Sequence, residues 1–120
     1  MKGGEEAESA ALSLLQNEGL SLLQRNYRCK LGEIDLVMKD GDTIVFVEVR
    51  KRSNQDFGGA RESITGVKQN RILKAARHYL MGCDTEPSCR FDAVLYEGKG
   101  HAEWIRNAFS EQDGRSPRFR

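Results

Sequence analysis

Glu33-Ile34-Asp35-Leu36-Val37-Met38, then Lys39-Asp40-Gly41-Asp42, then Thr43-Ile44-Val45-Phe46-Val47-Glu48-Val49-Arg50 read as strand, turn and strand. The flanking runs are apolar and rich in β-branched residues, and Asp-Gly between such runs signals a tight hairpin. The second run is apolar on both faces, as expected of a central strand. Alternation sets Ile44, Phe46, Glu48 and Arg50 on one side and Val45, Val47, Val49 and Lys51 on the other. The same rule aligns Asp35 with Glu33 and Val37. Asp35 and Glu48 thus stand on neighbouring strands, with a fixed positive charge two residues beyond Glu48.

Upstream, Ala7, Ala11, Leu14 and Leu15 recur at helical spacing, predicting a helix from about Glu5 to Glu18 that stops at Gly19. Glu8 lies at the edge of that apolar stripe, while Glu5 and Glu6 turn more toward solvent. An acid at this edge either faces a polar site or caps the surface. Leu22 to Tyr27 reads as a short strand, with Arg25, Arg28 and Lys30 leading to a turn at Gly32. Ser53 to Gly59 has the small, polar composition of a loop.

A long helix is expected over roughly Ala60 to Met81, with Ala60, Ile64, Val67, Ile72, Ala75, Ala76 and Tyr79 as its apolar stripe. Lys68 falls inside that stripe and Arg71 on its flank. A lysine there either snorkels past its neighbours or reaches an anion. Arg90 to Tyr96 and Ala102 to Ile105 form a second hairpin, in which Phe91, Tyr96 and Trp104 read as packing residues. Residues 110–120 have the composition of a flexible tail.

A chain of 120 residues fits one domain, here residues 1–109. No apolar run approaches the ~20 residues of a membrane-crossing helix, and no secretory segment opens the sequence; a cytoplasmic location without membrane attachment is the expectation. Three cysteines are too few for a disulfide scaffold. Cys83, Cys89, His78 and His101 lack the spacing of a tight zinc ligand set. The formal charge of +1 conceals an asymmetry: residues 1–49 carry a net −4 and residues 50–77 a net +6. A basic stretch beside clustered acids suits a phosphate backbone held over a metal, and a solvated helix face gives a similar count.

Phosphodiester hydrolysis needs an activated water and neutralisation of charge growing on phosphate oxygens. Magnesium or manganese meets much of that need and prefers carboxylate oxygens to imidazole or thiolate. Asp35 and Glu48 offer two such groups, Glu8 a third, and repulsion among them favours a cation. Neither histidine lies in a motif with a serine or cysteine nucleophile, and no glycine-rich phosphate loop is present.

Gly4, Glu8, Ala11, Leu15, Gly19, Asn26, Gly32-Glu33-Ile34-Asp35-Leu36, Val45-Phe46-Val47-Glu48-Val49-Arg50-Lys51-Arg52, Gly58, Lys68, Ala76, Tyr79-Leu80 and Arg90-Phe91-Asp92 resemble the bacterial YraN family, also called UPF0102. The likeness runs from about Gly3 to Phe109. It implies an α/β, restriction-endonuclease-like fold, a mixed central β-sheet flanked by α-helices, similar to archaeal Holliday-junction resolvases. It further implies a metal-dependent endonuclease using Mg2+ or Mn2+ at Glu8, Asp35 and Glu48. The usual catalytic lysine maps onto Arg50, and Lys68 is the matching helix lysine. DNA, branched or junction DNA included, is the expected partner, with Arg25, Arg28, Lys51, Arg52 and Arg71 as backbone contacts. RNA stays open as a substrate, and a homodimer follows by analogy of fold. Arginine at position 50 departs from the pattern. It stays protonated and presents a planar fork where lysine is a compact, tunable charge. A noncatalytic nucleic-acid-binding protein that keeps the fold is therefore the alternative.

Overall fold

The computed structural model describes residues 2–51, 66–99 and 101–109. Helix α1 (Lys2–Asn17) is followed by strands β1 (Ser21–Cys29), β2 (Gly32–Asp40) and β3 (Thr43–Lys51). Helix α2 (Gly66–Leu80) then leads to β4 (Ser88–Gly98) and β5 (His101–Phe109). The sheet order is β1-β2-β3-β4-β5. β3 runs parallel to β4, and the other neighbours are antiparallel. The sheet is mixed, and β3 is its central strand.

Each helix covers one face. Ala11 and Leu15 of α1 pack with Leu36, Met38, Val45, Val47 and Val94. Ile72, Ala75 and Ala76 of α2 pack with Ile34, Val37, Ile44, Phe46, Phe91, Ala93 and Leu95 on the other side. The first helix ends in a closed cap. Gly19, at φ 99°, donates to the Gln16 carbonyl at 3.0 Å and Leu20 N–H donates to Leu15 at 3.0 Å, a Schellman motif in which Leu20 and Leu15 also share the core. No described helix is long and apolar enough to cross a membrane.

The β2–β3 hairpin forms where expected, with Asp40 opposite Thr43 and Gly41 at φ 63°. β3 keeps strict alternation: Ile44 and Phe46 face α2, while Val45 and Val47 face α1. β2 does not. Ile34 belongs to the α2 side and Leu36 to the α1 side, although the two are an even number of residues apart. Simple alternation is therefore corrected at Asp35, where the strand changes faces. Its neighbour β1 does the same: Arg25 lies opposite Leu36 and Tyr27 opposite Ile34, and Asn26 between them takes φ 50°. Asparagine tolerates that left-handed conformation better than most residues.

The α2 stripe also needs one correction. Ile72, Ala75 and Ala76 are buried and Tyr79 half-buried as expected, but Val67 is 72% exposed. It lies off the arc on which Lys68, Ile72, Ala75 and Tyr79 meet the sheet. The expected members Ala60 and Ile64, the loop 53–59 and the tail 110–120 lie outside the described residues.

Candidate carboxylate centre

β2 and β3 pair from Asp40–Thr43 up to Leu36–Val47, and there the paired register ends. Asp35 sits at this opening. Its Oδ2 accepts a hydrogen bond of 2.8 Å from the Val49 backbone N–H. A side chain therefore satisfies a main-chain donor that a regular ladder would have given to a carbonyl.

Glu48 is the next residue of β3 beyond that last pair, and it is 4% exposed. An unpaired carboxylate at such depth would be costly. Two cations answer it. Lys68 Nζ from α2 lies 3.2 Å from Glu48 Oε2, and Arg50 Nε lies 3.6 Å from the same oxygen. Lys68 can reach it because it sits one helical turn before Ile72, on the arc facing the sheet. The arrangement explains why a lysine interrupts the apolar stripe: beneath it the sheet face changes from Phe46 to Glu48.

Burial and the neighbouring charges of Glu48 and Glu8 push the Asp35 carboxyl up to about 7, against the opposing hydrogen bond from Val49. Near neutral pH the Asp35 carboxyl is therefore partly protonated, which eases its repulsion with the carboxylate beside it. Glu8, on α1, is drawn to Arg25 of β1, with Oε1 3.6 Å from the Arg25 Nη2. All three sequence-selected acids thus act on one locality.

These groups fit a hard divalent cation in donor type and charge. They are all-oxygen donors whose mutual repulsion a proton relieves, and a cation relieves repulsion of the same kind. Among the described residues, however, no three His, Cys, Asp or Glu side chains stand in a metal-holding arrangement. Within the centre, Glu48 is paired with Lys68 and Arg50, and Glu8 with Arg25. Asp35 and Glu48, on adjacent strands, are the two acids that could share such an ion.

Asp92, which the sequence offered only as part of the Arg90-Phe91-Asp92 stretch, provides a contrast. It is 0% exposed and lies opposite an irregularity in the β4–β5 ladder. Arg90 Nε contacts both its oxygens at 3.1 Å, Trp104 Nε1 donates at 2.9 Å and the Asn107 backbone N–H at 3.0 Å. A cation and two neutral donors satisfy it fully, so Asp92 reads as a structural acid. Asp35 has one backbone donor and two carboxylate neighbours, which is the less settled environment.

The basic residues separate into three places. Lys51 is exposed at the end of β3, beside Arg50 in sequence but on the other face of the strand. Arg28 pairs with Glu33 at 3.2 Å, both largely exposed. Arg28 and Arg71 help line a cavity of about 360 Å³, together with Lys68 and Lys30. Lys30 was not among the expected contacts, although its position beside the β1–β2 turn was the available signal. Arg52 lies outside the described residues. The cysteines form no disulfide. Burial pushes the Cys89 thiol up to about 11, so it remains a thiol at neutral pH, and His78 is engaged by the Tyr27 hydroxyl.

Comparison with known proteins adds one consistent result. The pattern of an uncharacterised protein family, UPF0102, matches residues 7–96, a span that includes Glu8, Asp35, Glu48, Arg50 and Lys68. A UPF0102 protein of Nitrosomonas eutropha is 58% identical over 108 residues, covering 90% of this chain and 93% of its own length. One from Cupriavidus metallidurans is 53% identical over 121 residues, with 95% and 90% covered. Another from Psychromonas ingrahamii is 52% identical over 109 residues, with 90% and 89% covered.

Proposed function

Because this chain belongs to the UPF0102 family, whose activity its description leaves uncharacterised, we propose a function from the site itself: a restriction-endonuclease-like protein that hydrolyses phosphodiester bonds in DNA with Mg2+ or Mn2+. The observation that carries this reading is the Asp35–Glu48 pair, held at the opening of β2 from β3 with Asp35 raised to about 7. Structural carboxylates are normally placed to be satisfied, as Asp92 is. A buried acid set against two others has the perturbed electrostatics by which functional sites are recognised.

In this reading Asp35 and Glu48 would hold the divalent ion, with Glu8 adding charge from α1, and the ion would supply electrophilic stabilisation and activation of water. The chain's own residues do the remaining work. The Val49 N–H fixes the Asp35 carboxylate in position. Arg50 and Lys68, the two cations paired with Glu48, would be the groups that bind and orient a phosphate beside it. Arg50 stays charged throughout and so serves to hold phosphate rather than to move a proton.

A second reading, nucleic-acid binding without cleavage, is favoured by one observation: two cations already answer Glu48. The two separate on a single experiment. Supercoiled and branched DNA are incubated with the purified protein in Mg2+, in Mn2+ and in EDTA, with Asp35→Asn and Glu48→Gln in parallel. The proposed activity nicks DNA only with metal and is lost in both variants. Salt-sensitive binding with no nicking under any metal supports the second reading, and nicking that survives both substitutions overturns the first.

A further inference from the structure

The β1–β2 turn and the first half of α2 form a half-open concavity of about 360 Å³, lined by Arg28, Lys30, Gly32, Glu33, Lys68 and Arg71 among others. Four basic residues and one carboxylate thus line the opening; Arg28 engages that carboxylate at 3.2 Å in an exposed pair of little energetic worth, and Lys68 is paired with Glu48 at 3.2 Å. Like charges gathered around a concavity repel one another, and an anion seated there relieves the repulsion.

The cavity is constructed by close packing. A Cβ added at Gly32 would lie 2.5 Å from the Arg71 backbone oxygen, so only glycine lets the turn rest directly on the α2 backbone. That approach brings Lys30, from the turn, and Arg71, from the helix, to the same opening. Lys68 lines the cavity and also lies 3.2 Å from Glu48 Oε2. It forms the wall shared by the basic cavity and the carboxylate centre. Gly32 precedes Asp35 by three residues of β2, roughly 10 Å of extended chain. Phosphates on one strand of a duplex recur about every 3.4 Å of axial rise, so the two places lie within a few nucleotides of each other.

We infer that this cavity is a second phosphate-binding site, distinct from the carboxylate centre and joined to it through Lys68, which seats a phosphate group of a nucleic-acid strand a few nucleotides from the one at Asp35 and Glu48. The inference rests on the nucleic-acid reading of that centre and extends it to strand placement. Phosphate recognition here needs only charge and hydrogen-bond donors, so a strand-terminal phosphate and an internal phosphodiester share the same chemistry.

The test is made in EDTA, so that its outcome does not depend on cleavage. Inorganic phosphate is titrated into the full chain while amide resonances are followed. Affinity for short single-stranded DNA bearing a 5′-phosphate, a 3′-phosphate or neither is measured against salt. The comparison variant is Lys30→Ala/Arg71→Ala, with Lys30→Gln alone as the exposed, turn-located change that leaves the helix intact if the pair does not fold. The expected result is that phosphate shifts Gly32, Lys30 and Arg71. The double variant should weaken phosphate binding about tenfold and lower the salt slope for DNA by about 1 to 2; Lys30→Gln alone should lower it by about half as much. A terminal phosphate that strengthens binding severalfold in the parent but not in the variant identifies a strand end. Equal binding of all three DNAs, with the slope still reduced, identifies an internal phosphodiester. Unchanged phosphate binding and salt slope in the variants overturn the inference while leaving the nicking assay of the carboxylate centre to stand or fall by itself.

Discussion

The Asp35 carboxylate accepts its hydrogen bond from the Val49 backbone N–H at 2.8 Å, just past the point where β2 and β3 cease to pair. One interaction therefore closes the sheet's opening and aims an acid toward Glu48. Its consequences can be measured separately from activity.

Replacing Asp35 with asparagine should stabilise the protein at pH 8. An acid raised to about 7 in the folded state, and near 4 when unfolded, is held more tightly as its protonated form by the native protein. Its contribution is fully present below the unfolded value and is lost as pH rises through about 7. Asparagine keeps an oxygen for Val49 and removes the charge. Thermal unfolding followed from pH 4 to 8 should show a shallower fall in the variant, with a gain on the order of 1–3 kcal/mol at the upper end. A variant less stable than the parent at pH 8 contradicts this account of the pair.

Asp92→Asn should have the opposite effect. It would leave the Arg90 guanidinium, which also contacts Asp40 at 3.0 Å, facing a neutral amide in a fully buried place. A loss of about 3 kcal/mol in chemical denaturation is expected, with metal-dependent nicking retained in the folded fraction. The pair of asparagine substitutions therefore distinguishes an acid kept for function from one kept for structure.

Arg50→Lys restores a compact, titratable charge two residues beyond Glu48. If phosphate positioning is all that residue 50 supplies, nicking will change little. If a proton-handling group is missing, lysine should raise the metal-dependent rate by about tenfold or more. Single-turnover rates measured across pH decide between these outcomes, because only the second introduces a new ionisation in the profile.

Gly32→Ala tests the docking of the turn on α2. The added Cβ meets a backbone oxygen at 2.5 Å, which cannot swing aside as a side chain would. Strain of about 1–3 kcal/mol is expected, together with displacement of Lys68 from Glu48. Denaturant midpoints measure the first. The Lys68 side-chain resonances, compared between parent and variant, measure the second.

The sheet was legible because its signals are local. The Asp40-Gly41 turn and the unbroken apolar run of β3 fixed the hairpin, and strict alternation placed Glu48 and Arg50 on one side of it. Lys68 was legible as an anomaly, a charge within an apolar stripe, without its reason. What could not be read was the double change of faces at Asn26 and Asp35. It belongs to neither strand alone: the left-handed Asn26 and the switch at Asp35 must occur opposite each other for the strands to stay paired. The role of Asp92 was hidden for a related reason, since its donors come from β4 and β5 and converge only when those strands pair.

Periodicity and turn chemistry, which act over a few residues, thus determined the elements, the central strand and the side of it on which Glu48 and Arg50 lie. Tertiary structure alone decided which cation answers which acid, how far burial raises Asp35, and that Lys30 and Arg71 share one opening. Those outcomes depend on Coulombic and desolvation energies between groups distant along the chain. Such energies have no value until packing sets the separations.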